Sequence, residues 1–365
     1  MAVDAPPRPT GTAEGGDSGQ GRRWWPWLLA GVAVLFVGGV AGDLFVGGVR
    51  ASDAVCNATN VADETLPTVV TISVTQGTGG SVGSGEVIRS DGYILTNNHV
   101  ISDAANGGAD IEVTFSDGGT AKASLTGRDP KTDLAVIKAS TGKSLPVIPF
   151  GSSSDVVVGE PVVALGAPLG LSNTVTSGIV SALDRSVEVP SDNGGTALLA
   201  SALQTDAAIN PGNSGGALTD CSGDLIGVNS AGAQVPSLTS DGGSIGLNFA
   251  IPVDLAKQVS DQIIATGSVT HGFFGLQVVQ IPPAAAEQAG TPQGLYVAGV
   301  VPGGPAAQAG IRQGDIITEV NGETATDATQ LEELTLTKQP GDKVELAYVR
   351  DGETQRTTVT LGTEP

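Results

Sequence analysis

Residues 204–216 read QTDAAINPGNSGG and place Ser214 between an asparagine and two glycines. A serine hydroxyl is a weak nucleophile near neutral pH and needs a neighbouring base. The glycines let the backbone turn tightly and direct its N–H groups at a developing oxyanion. We therefore predict that Ser214 is a nucleophile and that Gly212, Asn213 and Ser214 form an oxyanion hole, with the N–H groups of Gly212 and Ser214 as donors. A glycine-rich surface turn is the alternative, because glycine accounts for 53 of the 365 residues.

The base for this serine has to be a histidine, and the chain contains two. His99 lies in residues 93–100, YILTNNHV, where a hairpin strand is predicted to end. His271 lies in a later part of the chain, beside a glycine. A histidine at the end of a strand is well placed to face a cleft, so His99 is the better candidate for the general base. A structural histidine is the alternative reading of His99.

A third residue must orient the imidazole and stabilise its cation. Asp133 directly precedes the apolar run LAVIK at 134–138, which predicts a buried strand. A carboxylate at the start of such a strand can be half buried and aimed at a neighbour, so Asp133 is the predicted third member. The alternatives are acids expected in solvated loops: Asp103, Asp110 and Asp129.

The remainder of the chain predicts a mainly β protein in two units. About twelve short strands between residues 69 and 251 favour one or two β-barrels over βαβ units. The apolar spacing then changes to that of a helix near 255–266, which Gly267 is expected to end. A second unit from about 268 to 362 combines four strands with short helices at 305–309 and 328–336.

The charge is strongly acidic, with 17 Lys and Arg against 38 Asp and Glu and a net charge of −21. Residues 1–50 are neutral overall, so the remaining part of the chain carries the whole excess. The absence of a basic patch there argues against a nucleic-acid partner. Two His and two Cys cannot supply a zinc-type pattern, and no calcium-loop pattern occurs, so neither a metal nor a cofactor is expected.

The N-terminal residues predict a membrane anchor. Residues 1–23 are expected to form a disordered cytoplasmic tail, 24–49 a single transmembrane helix and 50–63 a linker. Two arginines precede the apolar run, and the positive-inside rule then leaves the N-terminus in the cytoplasm and the bulk of the chain outside it. A cleaved signal peptide, a twin-arginine signal, a lipoprotein signal and a buried helix of a soluble domain are the alternatives.

The two cysteines, Cys56 and Cys221, are free to pair if the folded part lies outside the cytoplasm. Two unpaired, small apolar side chains are the equally weighted alternative.

The order His99, Asp133, Ser214 is that of chymotrypsin-like serine proteases, and the sequence segments around these residues resemble those of the HtrA (high-temperature requirement A) family. The similar segments are LTNNHV at 95–100, TDLAV at 132–136, TSGIVSA at 176–182 and the serine segment at 204–216. The resemblance implies a chymotrypsin-like double β-barrel over 64–267 and a PDZ domain over 268–363. It also implies an ATP-independent serine endopeptidase that acts on misfolded or damaged exported proteins.

The loop HGFFGL at 271–276 resembles the carboxylate-binding loop of a PDZ domain. The resemblance implies that backbone N–H groups hold the C-terminal carboxylate of a peptide that adds a strand to the sheet. The residues concerned are Gly272, Phe273, Phe274, Gly275 and Leu276. Ordinary core packing is the alternative for the three apolar side chains.

The substrate pocket is expected to be small and uncharged. Trypsin-like enzymes carry an acid six residues before the nucleophile, whereas this chain has Ala208. Asn229, Ser230 and Ala231 are predicted to line the same pocket, which would favour aliphatic side chains before the scissile bond.

Two further expectations stay open at this stage. Family trimers form through aromatic residues at the start of the protease domain, and residues 57–76 contain none, so a homotrimer is in doubt. A non-proteolytic PDZ adaptor or chaperone on a protease-like scaffold is the alternative function, and it is weakened by the presence of all three triad residues.

Overall fold

The computed structural model describes residues 56–105, 107–167, 174–192, 194–230 and 244–364. The predicted tail at 1–23, the predicted anchor at 24–49 and Ala231 lie outside these ranges. Within them, no helix has the length and apolar character needed to span a bilayer.

Two closed β-barrels of six strands each, followed by a further β-sheet, confirm the mainly β prediction. In the first barrel the strands follow the order β1-β2-β3-β6-β5-β4, and pairing of β1 with β4 closes it. Its elements are α1 (Ala58–Thr65), β1 (Val69–Gln76), β2 (Gly79–Val87), β3 (Tyr93–Asn97), α2 (Asn98–Ala105), β4 (Asp110–Thr114), β5 (Thr120–Asp129) and β6 (Leu134–Ala139). The helices α1 and α2 are additions that the apolar pattern did not predict.

The second barrel follows the order β10-β11-β12-β9-β8-β7, with β7 paired to β10. Its strands are β7 (Pro161–Gly166), β8 (Thr174–Pro190), β9 (Thr196–Thr205), β10 (Ala217–Thr219), β11 (Leu225–Ser230) and β12 (Asn248–Pro252). The strand β8 extends to Pro190, because its second half pairs with β9 as far as Thr196.

A shared apolar core joins the two barrels. Leu95 and Leu134 of the first barrel pack in one cluster with Leu165 and Ile251 of the second. The helix α3 (Val253–Thr266) adds its buried face to this cluster. The predicted stop at Gly267 is confirmed: the residue has φ +82° and its N–H caps the helix by donating to the Ile263 carbonyl.

The C-terminal sheet has the strand order β13-β14-β15-β17-β18, with β16 paired to β15. Its strands are β13 (Leu276–Gln280), β14 (Leu295–Val300), β15 (Ile316–Val320), β16 (Glu323–Thr324), β17 (Lys343–Arg350) and β18 (Glu353–Thr360). Its helices are α4 (Pro283–Ala289), α5 (Pro305–Gln308) and α6 (Thr329–Thr337). The sheet and the double barrel belong to the same compact unit.

A disulfide joins Cys56 to Cys221 across a sequence separation of 165 residues. It ties Cys56, two residues before α1, to the turn between β10 and β11, and so fastens the start of the described chain to the second barrel.

Candidate active site

Strand pairing brings His99 and Asp133 together. The antiparallel strands β3 and β6 place Asn97, at the end of β3, opposite Leu134, at the start of β6. The residues just beyond these two strand ends therefore become neighbours. His99 was expected at the end of the strand; it lies two residues beyond Asn97, in the first turn of α2.

The Asp133 side chain binds His99 through both carboxylate oxygens. His99 Nδ1 lies 2.8 Å from Oδ2, and the backbone N–H of His99 donates to Oδ1 at 3.0 Å. Because a carboxylate can only accept, the ring proton lies on Nδ1 and leaves Nε2 as the basic nitrogen. The same carboxylate also satisfies one of the free N–H groups in the first turn of α2.

The backbone of Asp133 is held in a conformation that side chains rarely adopt. Its φ is +57°, and the side chain is only 2% exposed. The Asn98 N–H and the Asn97 Nδ2 each donate to the Asp133 carbonyl at 3.0 Å. These two bonds fix the strained peptide, and with it the direction of the carboxylate.

The electrostatic surroundings favour protonation of His99. Burial lowers the pKa of the imidazole, but the hydrogen bond and the negative charge of Asp133 outweigh it and raise the pKa above its ordinary value. The side chain remains 33% exposed, so a substrate can reach the ring.

The loop that carries Ser214 is fixed to strands β2 and β3 of the first barrel. The Ser214 carbonyl accepts the N–H of Ser84 on β2 at 2.8 Å. A Cβ at Gly215 would lie 2.3 Å from the Ser84 carbonyl and 2.3 Å from the Thr96 hydroxyl. Only glycine fits there, and this close approach holds the serine loop against β3, three residues before His99.

The predicted oxyanion segment consists of Gly212, Asn213 and Ser214. Gly212 has φ +97°, a conformation that glycine adopts without strain. The N–H of Asn213 does not point at a substrate; it donates to the Asn210 carbonyl at 2.9 Å. The Asn213 N–H is thus used inside the loop, and the N–H groups of Gly212 and Ser214 stay the predicted donors.

The predicted pocket residues fall into two groups. Ala208 is half-buried, and its carbonyl accepts the Thr176 hydroxyl at 2.9 Å, while Ser230 is buried at the end of β11. Asn229 is fully buried, and its amide nitrogen donates to the carbonyls of Leu165 and Ala217 inside the barrel, so this donor is used within the fold.

One of the alternative acids is not a solvated loop residue. Asp103 and Asp110 are exposed as expected, but Asp129 is buried. The Thr132 hydroxyl donates to Asp129 Oδ2 at 2.6 Å. The same oxygen lies 2.9 Å from His271 Nε2, which is off the direction of a hydrogen bond. His271 therefore packs against the protease barrels rather than against Ser214.

A second polar cluster beside His99 was not predicted. Arg128 pairs with Asp192, at the tip of the β8–β9 hairpin, and donates to Asn98 Oδ1 at 3.2 Å. The pKa of Asp192 is lowered; burial opposes this change, but the hydrogen bond and the charge of Arg128 exceed its effect. These residues link the hairpin to the first residue of α2.

Residues 273–276 of the predicted carboxylate-binding loop line a cavity of about 460 Å³. Phe274 is buried in the core of the C-terminal sheet, so for this side chain the packing alternative holds. Within the ranges described, the N–H groups of Phe274 and Gly275 have no backbone acceptor. Lys131 and Thr196 of the double barrel also line this cavity.

No cluster of three or more metal-ligating side chains occurs in the part of the chain that the structure describes.

Comparison with protein families gives two matches. Residues 83–228 match the trypsin-like peptidase domain, and residues 272–361 match the PDZ domain. The first match contains His99, Asp133 and Ser214, and the second contains the loop 272–276.

Two curated relatives extend over most of the chain. A probable periplasmic serine endoprotease DegP-like of Halomonas elongata is 43% identical over 287 residues, which is 78% of this chain and 57% of the relative. The serine protease PepD of Mycobacterium tuberculosis is 43% identical over 310 residues, which is 83% of this chain and 65% of the relative. The chain thus spans about three fifths of the length of these relatives.

A solved structure matches at nearly full length. The HtrA-type protease AlgW with decapeptide superposes with a TM-score of 0.67 at 34% identity, covering 85% of this chain and 99% of that one.

Proposed function

Because the chain belongs to the HtrA family of serine proteases, we propose that it is an ATP-independent serine endopeptidase that degrades misfolded or damaged proteins outside the cytoplasm. The observation that carries the proposal is the contact of His99 Nδ1 with the buried Asp133 carboxylate, beside the loop of Ser214. The periplasmic assignment of the DegP-like relative supports the compartment.

In the proposed reaction, His99 Nε2 takes the Ser214 proton while the hydroxyl oxygen attacks the carbonyl carbon of the scissile bond. The Gly212 and Ser214 N–H groups stabilise the oxyanion. The imidazolium then gives its proton to the leaving amine, and the peptide bond breaks to leave an acyl ester on Ser214. A water molecule, deprotonated by His99, hydrolyses this ester and restores the enzyme. Asp133 keeps the ring in the required tautomer throughout.

The domain assignment that we propose is a protease domain over 64–267 and a PDZ domain over 268–363. The N–H groups of Phe274 and Gly275, next to the cavity at residues 272–276, support the binding of a peptide carboxylate. The decapeptide in the AlgW structure is consistent with a peptide ligand. The single-pass anchor at 24–49 rests on the sequence, and its test is membrane fractionation of the chain with and without these residues.

The test of the activity uses the full chain, Ser214→Ala and the control Ser260→Ala, a buried serine on α3. We expect a fluorophosphonate probe to label the wild type and the control but not Ser214→Ala, and casein cleavage to fall by several orders of magnitude in the same variant. Equal cleavage by Ser214→Ala would refute the assignment. Absence of labelling in a folded wild type would favour the adaptor instead.

A further inference from the structure

We propose that Ser84 is a positioning residue whose hydroxyl aligns the oxyanion donors of the Ser214 loop. The inference rests on the proposed function and adds a residue to it. Ser84 lies on β2 of the first barrel, 128 residues before Gly212 in sequence, and is fully buried.

Four hydrogen bonds converge on Ser84. Its N–H donates to the Ser214 carbonyl at 2.8 Å, and its carbonyl accepts the Thr96 hydroxyl at 2.7 Å. Its Oγ accepts the Ala167 N–H at 2.8 Å and lies 2.7 Å from the Gly212 carbonyl. An amide N–H can only donate, and a carbonyl can only accept, so the hydroxyl proton is committed to Gly212.

This bond fixes a peptide that would otherwise rotate. Gly212 has no side chain and has φ +97°, so its own conformational preference is weak. The peptide between Gly212 and Asn213 is held at both ends: its carbonyl by Ser84 Oγ, and its N–H by the Asn210 carbonyl. The Gly212 N–H is bonded to the same Cα as this anchored carbonyl, so the anchor limits the directions that this N–H can take.

The second donor is anchored through the same residue. The Ser214 carbonyl is bound to the Ser84 N–H, and the Ser214 N–H lies one Cα away from it. A single residue of the first barrel thus sets the two carbonyls that flank both predicted donors. An oxyanion donor acts only at the correct distance and direction. Loss of this alignment therefore lowers the rate of the chemical step more than it lowers the affinity for the substrate.

The variant Ser84→Ala removes the hydroxyl and leaves the backbone bond to Ser214 in place. The matched control is Ser260→Ala, in which the same substitution removes a buried hydroxyl that donates to the Lys257 carbonyl at 3.0 Å. This bond is confined to α3, away from the serine loop.

The experiment measures kcat and KM on a peptide substrate, and the affinity for a peptide aldehyde that forms a tetrahedral adduct with the serine. Rates are normalised to active sites by fluorophosphonate titration. We expect Ser84→Ala to lower kcat by about 10- to 100-fold with KM changed less than threefold, and to weaken aldehyde binding by a similar factor. Ser260→Ala should stay within about twofold of the wild type in all three quantities.

Three results would overturn the inference: a kcat of Ser84→Ala within twofold of the wild type, an increase in KM with kcat unchanged, or aldehyde affinity that does not follow kcat/KM. If Ser84→Ala does not fold, the same measurements are made on Ser84→Cys, whose side chain is similar in size and a weaker hydrogen-bond donor. A wild-type kcat in Ser84→Cys also overturns the inference. An inactive wild type overturns both this inference and the proposed function, whereas an active wild type with active Ser84→Ala overturns this inference alone.

Discussion

A buried carboxyl on β2 leads to a prediction about stability and pH. Glu86 is fully buried, and neither of its carboxylate oxygens has a hydrogen-bond partner among the residues that the structure describes. In the barrel it lies opposite Val69 on β1 and Leu95 on β3, both of which belong to the core between the barrels. Burial raises the pKa of Glu86 well above its usual range, and the nearness of its own backbone N–H opposes this change only in part.

The size of the effect follows from proton linkage. Glu86 has a higher pKa in the folded than in the unfolded state, so its contribution to stability is fully present below the unfolded pKa, about 4.3. Above that pH the unfolded state releases a proton that the folded state retains. The free energy of unfolding therefore falls by about 1.4 kcal/mol for each pH unit, until the pH reaches the folded pKa.

The perturbation is Glu86→Gln, which keeps the shape and polarity of the protonated side chain but cannot ionise. Urea unfolding of the disulfide-intact chain would be followed by circular dichroism from pH 4 upward, in a Ser214→Ala background that prevents self-digestion. The quantity compared is the free energy of unfolding of Glu86→Gln minus that of its parent at each pH, because the contributions of other titrating groups cancel in this difference. His99 is one such group, since its raised pKa also removes stability as the pH rises. Glu112→Gln, on an exposed position of β4, is the control.

We expect the two proteins to have similar stability near pH 4, and Glu86→Gln to gain about 1.4 kcal/mol relative to its parent per pH unit above that. The gain should level off at the folded pKa of Glu86. A difference that does not change with pH, or the same slope in Glu112→Gln, would refute the reasoning.

The remaining predictions concern the site and the disulfide. Asp133→Asn should lower kcat by about 10⁴-fold. It should also lower the His99 pKa seen by NMR, because burial remains while the charge that raises the pKa is lost; an unchanged titration would contradict this. Gly215→Ala should abolish casein cleavage, since its Cβ would overlap the Ser84 carbonyl. The control Gly118→Ala has a similar φ of +80° and no atom within 4 Å of the added Cβ, so it should cost only about 1–2 kcal/mol of stability. Equal effects of the two substitutions on casein cleavage would count against the overlap. Replacing both Cys56 and Cys221 by Ala should lower the free energy of unfolding by up to about 5 kcal/mol for a separation of 165 residues in the chain-entropy treatment, and a urea midpoint unchanged from the wild type would be inconsistent with it.

Local features were the most predictable from sequence. Gly267 ends α3 because a glycine after an apolar helical run favours the left-handed cap, and this depends only on neighbouring residues. The serine segment likewise carries its own turn chemistry, including the positive φ values of Gly212 and Gly215.

Features that depend on pairing between distant strands could not be predicted. Asn229 was expected in the substrate pocket, but its side chain points inward to carbonyls of β7 and β10, and no local pattern specifies this direction. Ser84 and Glu86 are two positions apart in the sequence and therefore share one face of β2. A strand between two barrels is buried on both faces, so alternation of polar and apolar residues does not mark the core. The sequence pattern therefore did not indicate that Glu86 is buried.

The segment 129–133 shows why the catalytic geometry depends on more than the triad. At its first residue, Asp129 binds the Thr132 hydroxyl and packs against His271, which precedes the C-terminal sheet. At its middle, the Lys131 carbonyl accepts the Leu198 N–H of β9, and the Lys131 side chain lines the cavity beside the loop 272–276. Its last residue presents the carboxylate to His99. The second barrel, through Leu198, and the residues before the C-terminal sheet, through His271, thus contact the short segment that ends at Asp133, the residue that orients the His99 imidazole.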